Sequence, residues 1–102
     1  MLVEFSIVPV GTGSSSIGDH LVDILNIVDK SGLPYKANPM GTVIEGSWDS
    51  VFGLIKRCHT KIMKDANRAV TTITIDDRKG KPNRINKKVE SIERRLGRTL
   101  KK

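Results

Sequence analysis

Residues 2–8 read Leu-Val-Glu-Phe-Ser-Ile-Val, so valine, phenylalanine and isoleucine alternate with glutamate and serine. This two-residue repeat of apolar and polar side chains predicts a β-strand with one buried face. Pro9 and the glycine- and serine-rich segment 11–16 are expected to end the strand. The serines of that segment also offer N-caps for a following helix.

The rest of the chain contains three helical patterns and three further strand patterns. Apolar residues spaced three and four apart predict helices over residues 17–30, from about 48 to 65, and from 85 to the end of the chain. Extended patterns predict strands over residues 35–38, 42–45 and 68–77. A proline–methionine–glycine turn separates the second and third strands and predicts a hairpin at a sheet edge.

The order strand, helix, strand, strand, helix, strand predicts an α+β fold of the ferredoxin-like type. In this βαββαβ antiparallel sandwich both helices cover one face of the sheet. At 102 residues the chain is expected to form a single domain over 1–102, with residues 85–102 as an extra basic C-terminal helix. The other sheet face must meet that helix or another subunit, which predicts a homo-oligomer.

Composition predicts a soluble cytoplasmic protein. The sequence lacks the basic segment and cleavage site of a signal peptide, and no apolar run is long enough to span a bilayer. The only cysteine, Cys58, has no partner for an internal disulfide and lies on the apolar stripe of the second predicted helix. These features favour a reducing compartment and a buried structural thiol.

The net charge of +7 raises the alternative of an RNA-binding module. The charge is concentrated at the end of the chain, because residues 78–102 contain eleven basic and two acidic residues. RNA-recognition modules of this fold stack bases on sheet aromatics, and the chain has only four aromatic residues. RNA binding through the basic C-terminal segment is therefore the second hypothesis.

No catalytic motif is evident, and neither enzymatic activity nor a cofactor is predicted. The Gly-Thr-Gly-Ser-Ser-Ser segment at 11–16 lacks the features of a Walker or dinucleotide loop, so it is either an anion-binding turn or a capped connector. His20, His59 and Cys58 lack the spacing of a zinc site, and no metal is expected. Asp76 and Asp77 at the end of the fourth strand could act as an acid and a base, but we interpret them as a structural pair that neutralises Arg78 and Lys79.

Several motifs together resemble those of the thiamine-binding protein family, over nearly the whole chain. They are Ser-Ile-Val-Pro-Val-Gly-Thr at 6–12, Ser-Gly-Leu-Pro-Tyr at 31–35, Asn-Pro-Met-Gly-Thr-Val-Ile-Glu-Gly at 38–46, Arg68, Asp-Asp-Arg at 76–78 and Lys-Val-Glu-Ser-Ile at 88–92. The resemblance implies a cytosolic ferredoxin-like protein that assembles as dimers and tetramers. It also implies binding of thiamine or its hydroxymethylpyrimidine part without catalysis.

The resemblance also implies a set of ligand-binding residues. These are Thr12, Ser14, Ser16, Asn38, Thr42, Glu45 and Trp48. Hydroxyls, an amide and a carboxylate would supply the donors and acceptors that an aminopyrimidine needs. Glu45 would in addition offset the positive charge of thiamine, and Trp48 would form an aromatic wall.

Overall fold

The computed structural model describes residues 1–11, 17–80 and 84–101. Seven elements follow one another in these residues: β1 (Leu2–Val10), α1 (Ile17–Lys30), β2 (Tyr35–Asn38), β3 (Gly41–Glu45), α2 (Trp48–Met63), β4 (Arg68–Asp76) and α3 (Arg84–Leu96). The strands form one four-stranded sheet in the order β2-β3-β1-β4, and every neighbouring pair is antiparallel. The predicted α+β class is confirmed, and the arrangement is consistent with a ferredoxin-like fold.

The core lies between one face of the sheet and helices α1 and α2. Its largest fully buried side chains come from both layers: Phe5, Ile44, Leu54, Ile62, Val3, Val28, Val51 and Cys58. In β1 the buried residues recur at every second position, as the alternation of residues 2–8 predicts. We call this side of the sheet the helix-covered face and the opposite side the open face.

Side-chain alternation and strand register assign the remaining strand residues to a face. Directly opposed residues of an antiparallel pair point to the same side. The open face therefore carries Leu2, Glu4, Ser6, Val8, Val10, Lys36, Asn38, Gly41, Val43, Glu45, Arg68, Val70, Thr72, Thr74 and Asp76. Helix α3 lies against this face and contacts β3, so the third helix packs on its own sheet.

Several element ends differ from the sequence-based predictions: α2 ends at Met63 rather than at about residue 65, and β4 ends at Asp76 rather than Asp77. The differences at β1 and α3 have a clear physical cause. β1 does not stop before Pro9 but continues through it to Val10. α3 stops at Leu96 rather than at the end of the chain, because Gly97 adopts a positive φ of 73°. That left-handed conformation is typical of the residue that follows a helix, and the Gly97 N–H donates to the Glu93 carbonyl at 2.8 Å.

Pro9 is tolerated in β1 because its missing N–H points away from β4. A Cβ placed on Gly41 would lie 3.1 Å from the Phe5 carbonyl oxygen, which shows that this carbonyl faces β3. Backbone polar groups of alternate residues in an antiparallel strand point to the same edge. Pro9 thus directs its nitrogen to the β3 side, where no β3 residue lies opposite it because β3 begins only at Gly41, so the β1–β3 ladder loses no hydrogen bond.

Within the described residues, no helix combines the length and the apolar character needed to cross a bilayer.

Cys58 should be nearly inert in the folded protein. Its side chain is fully buried in the core, and burial raises the pKa of the thiol from 9.0 to about 11. This higher pKa lowers the fraction of thiolate present at pH 8 about 100-fold. We therefore expect iodoacetamide to alkylate the native protein at least ~100-fold more slowly than the urea-unfolded chain, measured by mass spectrometry. Equal rates in the two states would contradict this assignment.

Candidate functional site

A cavity of about 220 Å³ lies where α1, β1 and the β2–β3 hairpin meet, and we call it the α1 cavity. Its walls are the 5–8 segment of β1, three leucine and isoleucine side chains of α1, and the 37–42 hairpin segment. The three helix residues are Leu21, Ile24 and Leu25. Small-molecule sites are commonly concave, mostly apolar and fitted with a few polar groups, and the α1 cavity has this character.

The cavity exists because β1 is longer than its neighbour. β1 pairs with β4 along nine positions, whereas its register with β3 covers only residues 2–5. Beyond that point the β1 edge faces the cavity. Since Phe5 directs its carbonyl toward β3, strand alternation directs the N–H and C=O of Ile7 toward the same side. The cavity wall thus offers one backbone donor and one backbone acceptor.

Gly41 allows the hairpin to approach β1 closely at this point. A Cβ at Gly41 would lie 3.1 Å from the Phe5 carbonyl oxygen and 3.3 Å from Glu4 Cγ. The first contact is with backbone, which cannot move aside without disturbing the ladder. A glycine between Met40 and Thr42 is therefore a packing requirement of the hairpin, and it places the Thr42 side chain beside the cavity.

Two of the sequence-predicted ligand residues, Asn38 and Thr42, line the α1 cavity. Thr42 points to the helix-covered face and is 7% exposed. Asn38, the last residue of β2, borders the cavity from the hairpin, although strand alternation assigns its side chain to the open face. A hydroxyl and an amide next to the Ile7 backbone groups provide several donors and acceptors in a small apolar space.

Three predicted residues, Thr12, Ser14 and Ser16, lie outside the described residues. Their segment joins the end of β1 to the start of α1, the two elements that form opposite walls of the α1 cavity. Their contribution to a ligand site stays a prediction.

Glu45 lies on the open face, away from the α1 cavity. Residues 42 and 45 are three positions apart in β3, so their side chains point to opposite faces of the sheet. Glu45 Oε1 instead accepts a hydrogen bond from the Ile85 N–H at 3.3 Å. This places a carboxylate at the N-terminal turn of α3, where the helix dipole favours negative charge.

Trp48 also lies apart from the α1 cavity. It is the first residue of α2, is 55% exposed, and stacks on Phe52 with ring centroids 5.1 Å apart. Ser47 caps this helix by accepting a hydrogen bond from the Ser50 N–H at 3.2 Å. Within a single chain, Asn38 and Thr42 both line the α1 cavity, whereas Glu45 and Trp48 are not among its described lining residues.

The cavity residues that sequence reasoning missed are the backbone of Ile7 and the apolar side chains of α1. The sequence does indicate the exposed backbone of Ile7, because the first predicted strand is longer than the third and must extend beyond it. The side chains of α1 gave no such signal, since core residues and cavity residues share one apolar stripe.

Neither histidine lies in the α1 cavity. His59 Nδ1 lies 3.1 Å from Thr71 Oγ1, which joins α2 to β4. His20 is 3% exposed, and its Nε2 has no hydrogen-bond partner within the described part of the chain. In the same residues, no group of three His, Cys, Asp or Glu side chains is placed to hold a metal ion.

The open face offers no platform for stacking bases. None of the open-face residues of the four described strands is aromatic. Phe5 is buried under the helices, and Tyr35 points to the helix-covered face, where its hydroxyl donates to Asp29 Oδ1 at 2.8 Å. This hydrogen bond to a carboxylate raises the pKa of Tyr35. The RNA-binding alternative therefore gains no support from the sheet.

The sequence profile of the thiamine-binding protein family matches residues 3–93. The chain belongs to this family. The match includes β1 from Val3 onward, the other three described strands, helices α1 and α2, and most of α3. The motifs that border the α1 cavity, including the Pro-Met-Gly-Thr hairpin, thus lie within the matched region.

Two relatives of the same family have similar lengths. UPF0045 protein MJ1052 of Methanocaldococcus jannaschii is 34% identical over 92 residues, which cover 90% of this chain and 91% of that protein. UPF0045 protein YqgV of Bacillus subtilis is 30% identical over 100 residues, which cover 93% and 96% of the two chains.

Solved structures share the fold. The crystal structure of the M. jannaschii protein superposes with a TM-score of 0.80 and 34% identity, over 89% of this chain and 93% of that one. A candidate thiamine biosynthesis/salvage protein from Thermotoga maritima superposes with a TM-score of 0.73 over 89% and 96% of the chains. Its sequence identity is 21%, so this second likeness concerns the fold alone.

Glu45 is expected to stabilise the start of α3 in this thiamine-binding family member. Replacing it in Glu45→Gln removes a charge from the helix N-terminus, which typically contributes about 0.3–1 kcal/mol. Amide hydrogen exchange in α3 should become roughly two- to fivefold faster while exchange in α2 stays unchanged. Glu4→Gln, on the same sheet face, is the matched control, and an equal effect in that variant would contradict the assignment.

Proposed function

We propose that the protein binds a small heterocyclic metabolite, thiamine or its hydroxymethylpyrimidine part, in the α1 cavity and without catalysis. The observation that carries the proposal is the polar lining of this cavity in a member of the thiamine-binding family. Thr42 and Asn38 stand beside the unpaired β1 edge at Ile7. An aminopyrimidine has donors and acceptors on one ring edge, and these side-chain and backbone groups complement them.

The size and lining of the cavity support a ligand of this class. A volume of about 220 Å³ lies below the usual range of roughly 300–1,000 Å³ for drug-sized ligands. It therefore suits a single ring better than a large cofactor. The apolar side chains of Leu21 and Ile24 can pack on the faces of a flat ring, while the polar groups contact its edge.

A homo-oligomer, with a homotetramer as the expected form, is the proposed assembly. Support comes from an apolar patch on the open face, made of Val8, Val10 and Val70, which are 46%, 43% and 45% exposed. Val8 and Val70 are direct partners across the β1–β4 ladder. Adjacent exposed valines on a sheet face are typical of a subunit contact. The lone free cysteine further supports the proposal of a cytoplasmic location.

Thr42→Val tests the ligand site. Valine keeps the shape of threonine but removes the hydroxyl, and an unmade hydrogen bond in a buried site costs about 1 kcal/mol or more. Calorimetric titration with hydroxymethylpyrimidine and with thiamine should show saturable binding near one site per chain, weakened roughly five- to tenfold by the substitution.

Thr60→Val, on the exposed side of α2, is the matched control and should bind like the unmodified protein. Glu45→Gln shows on which face of the sheet the ligand binds. Unchanged binding in that variant supports the α1 cavity, whereas loss of binding would move the ligand to the open face. Absence of heat with both ligands would reject the proposed function.

Val70→Glu tests the assembly. A carboxylate inside an apolar contact is costly to desolvate, so we expect self-association to weaken at least ~10-fold in light scattering after size-exclusion chromatography. Val22→Glu is the control, because Val22 is an exposed apolar residue of α1 at 68% exposure. An assembly that survives Val70→Glu but is lost in Val22→Glu would place the contact on the helices instead.

A further inference from the structure

A second and larger cavity of about 720 Å³ lies between the open face and α3, and we call it the α3 cavity. Its apolar lining comes from the sheet, from the helix and from the segment after it: Leu2, Val43, Ile85, Val89, Ile92 and Leu100. The volume falls within the range of roughly 300–1,000 Å³ that is usual for small-molecule sites. Neither the family match nor the α1 cavity accounts for it.

The charged side chains among the described lining residues of the α3 cavity are all cationic, and the remaining polar side chain is the amide of Asn38, which also borders the α1 cavity. Lys36 from β2, Lys88 from α3 and Lys101 from the C-terminal segment line it, and the described lining residues include no carboxylate. Lys88 is ion-paired with Asp76. Lys36 is half-buried opposite Val43 on the open face and has no ion-pair partner among the described residues. The cavity therefore joins an apolar interior to a positive rim.

The interior is aliphatic. No aromatic side chain is among the described lining residues, so a heteroaromatic ring would find no stacking partner there. An alkyl chain, in contrast, packs well against leucine, isoleucine and valine side chains. The α3 cavity thus differs from the α1 cavity in its positive rim, because the described lining of the α1 cavity contains no charged side chain.

We propose that the α3 cavity binds a medium-chain fatty carboxylate. The carboxylate contacts the ammonium groups of Lys36 and Lys101, and the alkyl chain lies between the open face and α3. Ile92 is 48% exposed although it lines the cavity, so a bound chain would remove further apolar surface from water. A cationic ligand such as thiamine is repelled by the same rim, so the two cavities select ligands of different charge although both are bordered by Ala37 and Asn38.

The occupant is a small anion rather than a second copy of the chain. The rim is positive, and the C-terminal segment from residue 78 carries a net charge of +9. A second copy would bring the same charge to the same surface, which is unfavourable. The assembly patch of Val8, Val10 and Val70 does not line the α3 cavity.

Calorimetric titration with decanoate below its micellar concentration tests the proposal. We expect saturable binding near one site per chain, with decanol at least ~10-fold weaker and decyltrimethylammonium not binding. Acetate should not bind, since it lacks the apolar body. Thiamine at saturation should leave decanoate binding unchanged. Equal binding of decanol and decanoate, or no saturable binding of decanoate, would overturn the proposal.

Lys36→Gln should weaken decanoate binding about five- to tenfold, because it removes the half-buried charge but keeps most of the stem. Lys87→Gln is the matched control, since Lys87 is exposed on α3 and does not line the cavity. Circular dichroism and an unchanged thermal unfolding curve establish that each variant is folded.

Equal loss of decanoate binding in both variants would show a general charge effect and reject the site. Decanoate binding only after the assembly is diluted to monomers would reject it in favour of a second copy in the cavity. Failure of thiamine binding alone leaves these decanoate outcomes unaffected, so the two proposals are tested independently.

Discussion

The side-chain alternation of β1 is the constraint on which the rest of the structure depends. β1 is an inner strand with hydrogen-bonded neighbours on both sides. Val3, Phe5 and Ile7 point to one face and are buried under the helices, whereas Leu2 and Val8 point to the other. A shift of one residue would exchange these faces and expose the core. The buried set of β1 therefore determines the register of β3 and β4.

The unequal lengths of β1 and β3 create the functional geometry. Nine residues of β1 pair with β4, but β3 begins only at Gly41, so the outer part of β1 has no β3 partner among the described residues. This edge of β1 explains two features that look unrelated in the sequence. It allows Pro9 inside the strand, and it presents the Ile7 backbone to the α1 cavity.

Helix α3 gives the basic C-terminal segment a structural role on the open face. Ile85, Val89 and Ile92 line the space between the helix and the sheet, the Ile85 N–H donates to Glu45, and Lys88 pairs with Asp76. The helix lies against β3 on the open face. A cavity remains beneath it, and lysines at the edge of the apolar stripe form its rim. In the sequence, the basic residues of this segment suggest nucleic-acid binding. In the structure, two of them, Lys88 and Lys101, line an aliphatic cavity.

The sequence by itself determined the element order, the α+β class and the family. Those properties depend on local periodicity and on short motifs, which act within a few residues of one another. The ends of β1 and α3 were predicted less accurately. Pro9 is tolerated because its side of β1 has no β3 partner, and Gly97 ends α3 because it adopts a positive φ. The face of each strand residue was also available from alternation, which separates Thr42 from Glu45.

Only the tertiary structure decided which residues meet. Asn38 and Thr42 line one cavity with side chains of α1, while Glu45 contacts the start of α3 on the other side of the sheet. The side of the sheet that α3 covers was likewise undetermined, because a narrow apolar stripe can pack on its own domain or on a partner. Such distances arise from packing between elements far apart in the chain, and local sequence patterns carry no information about them.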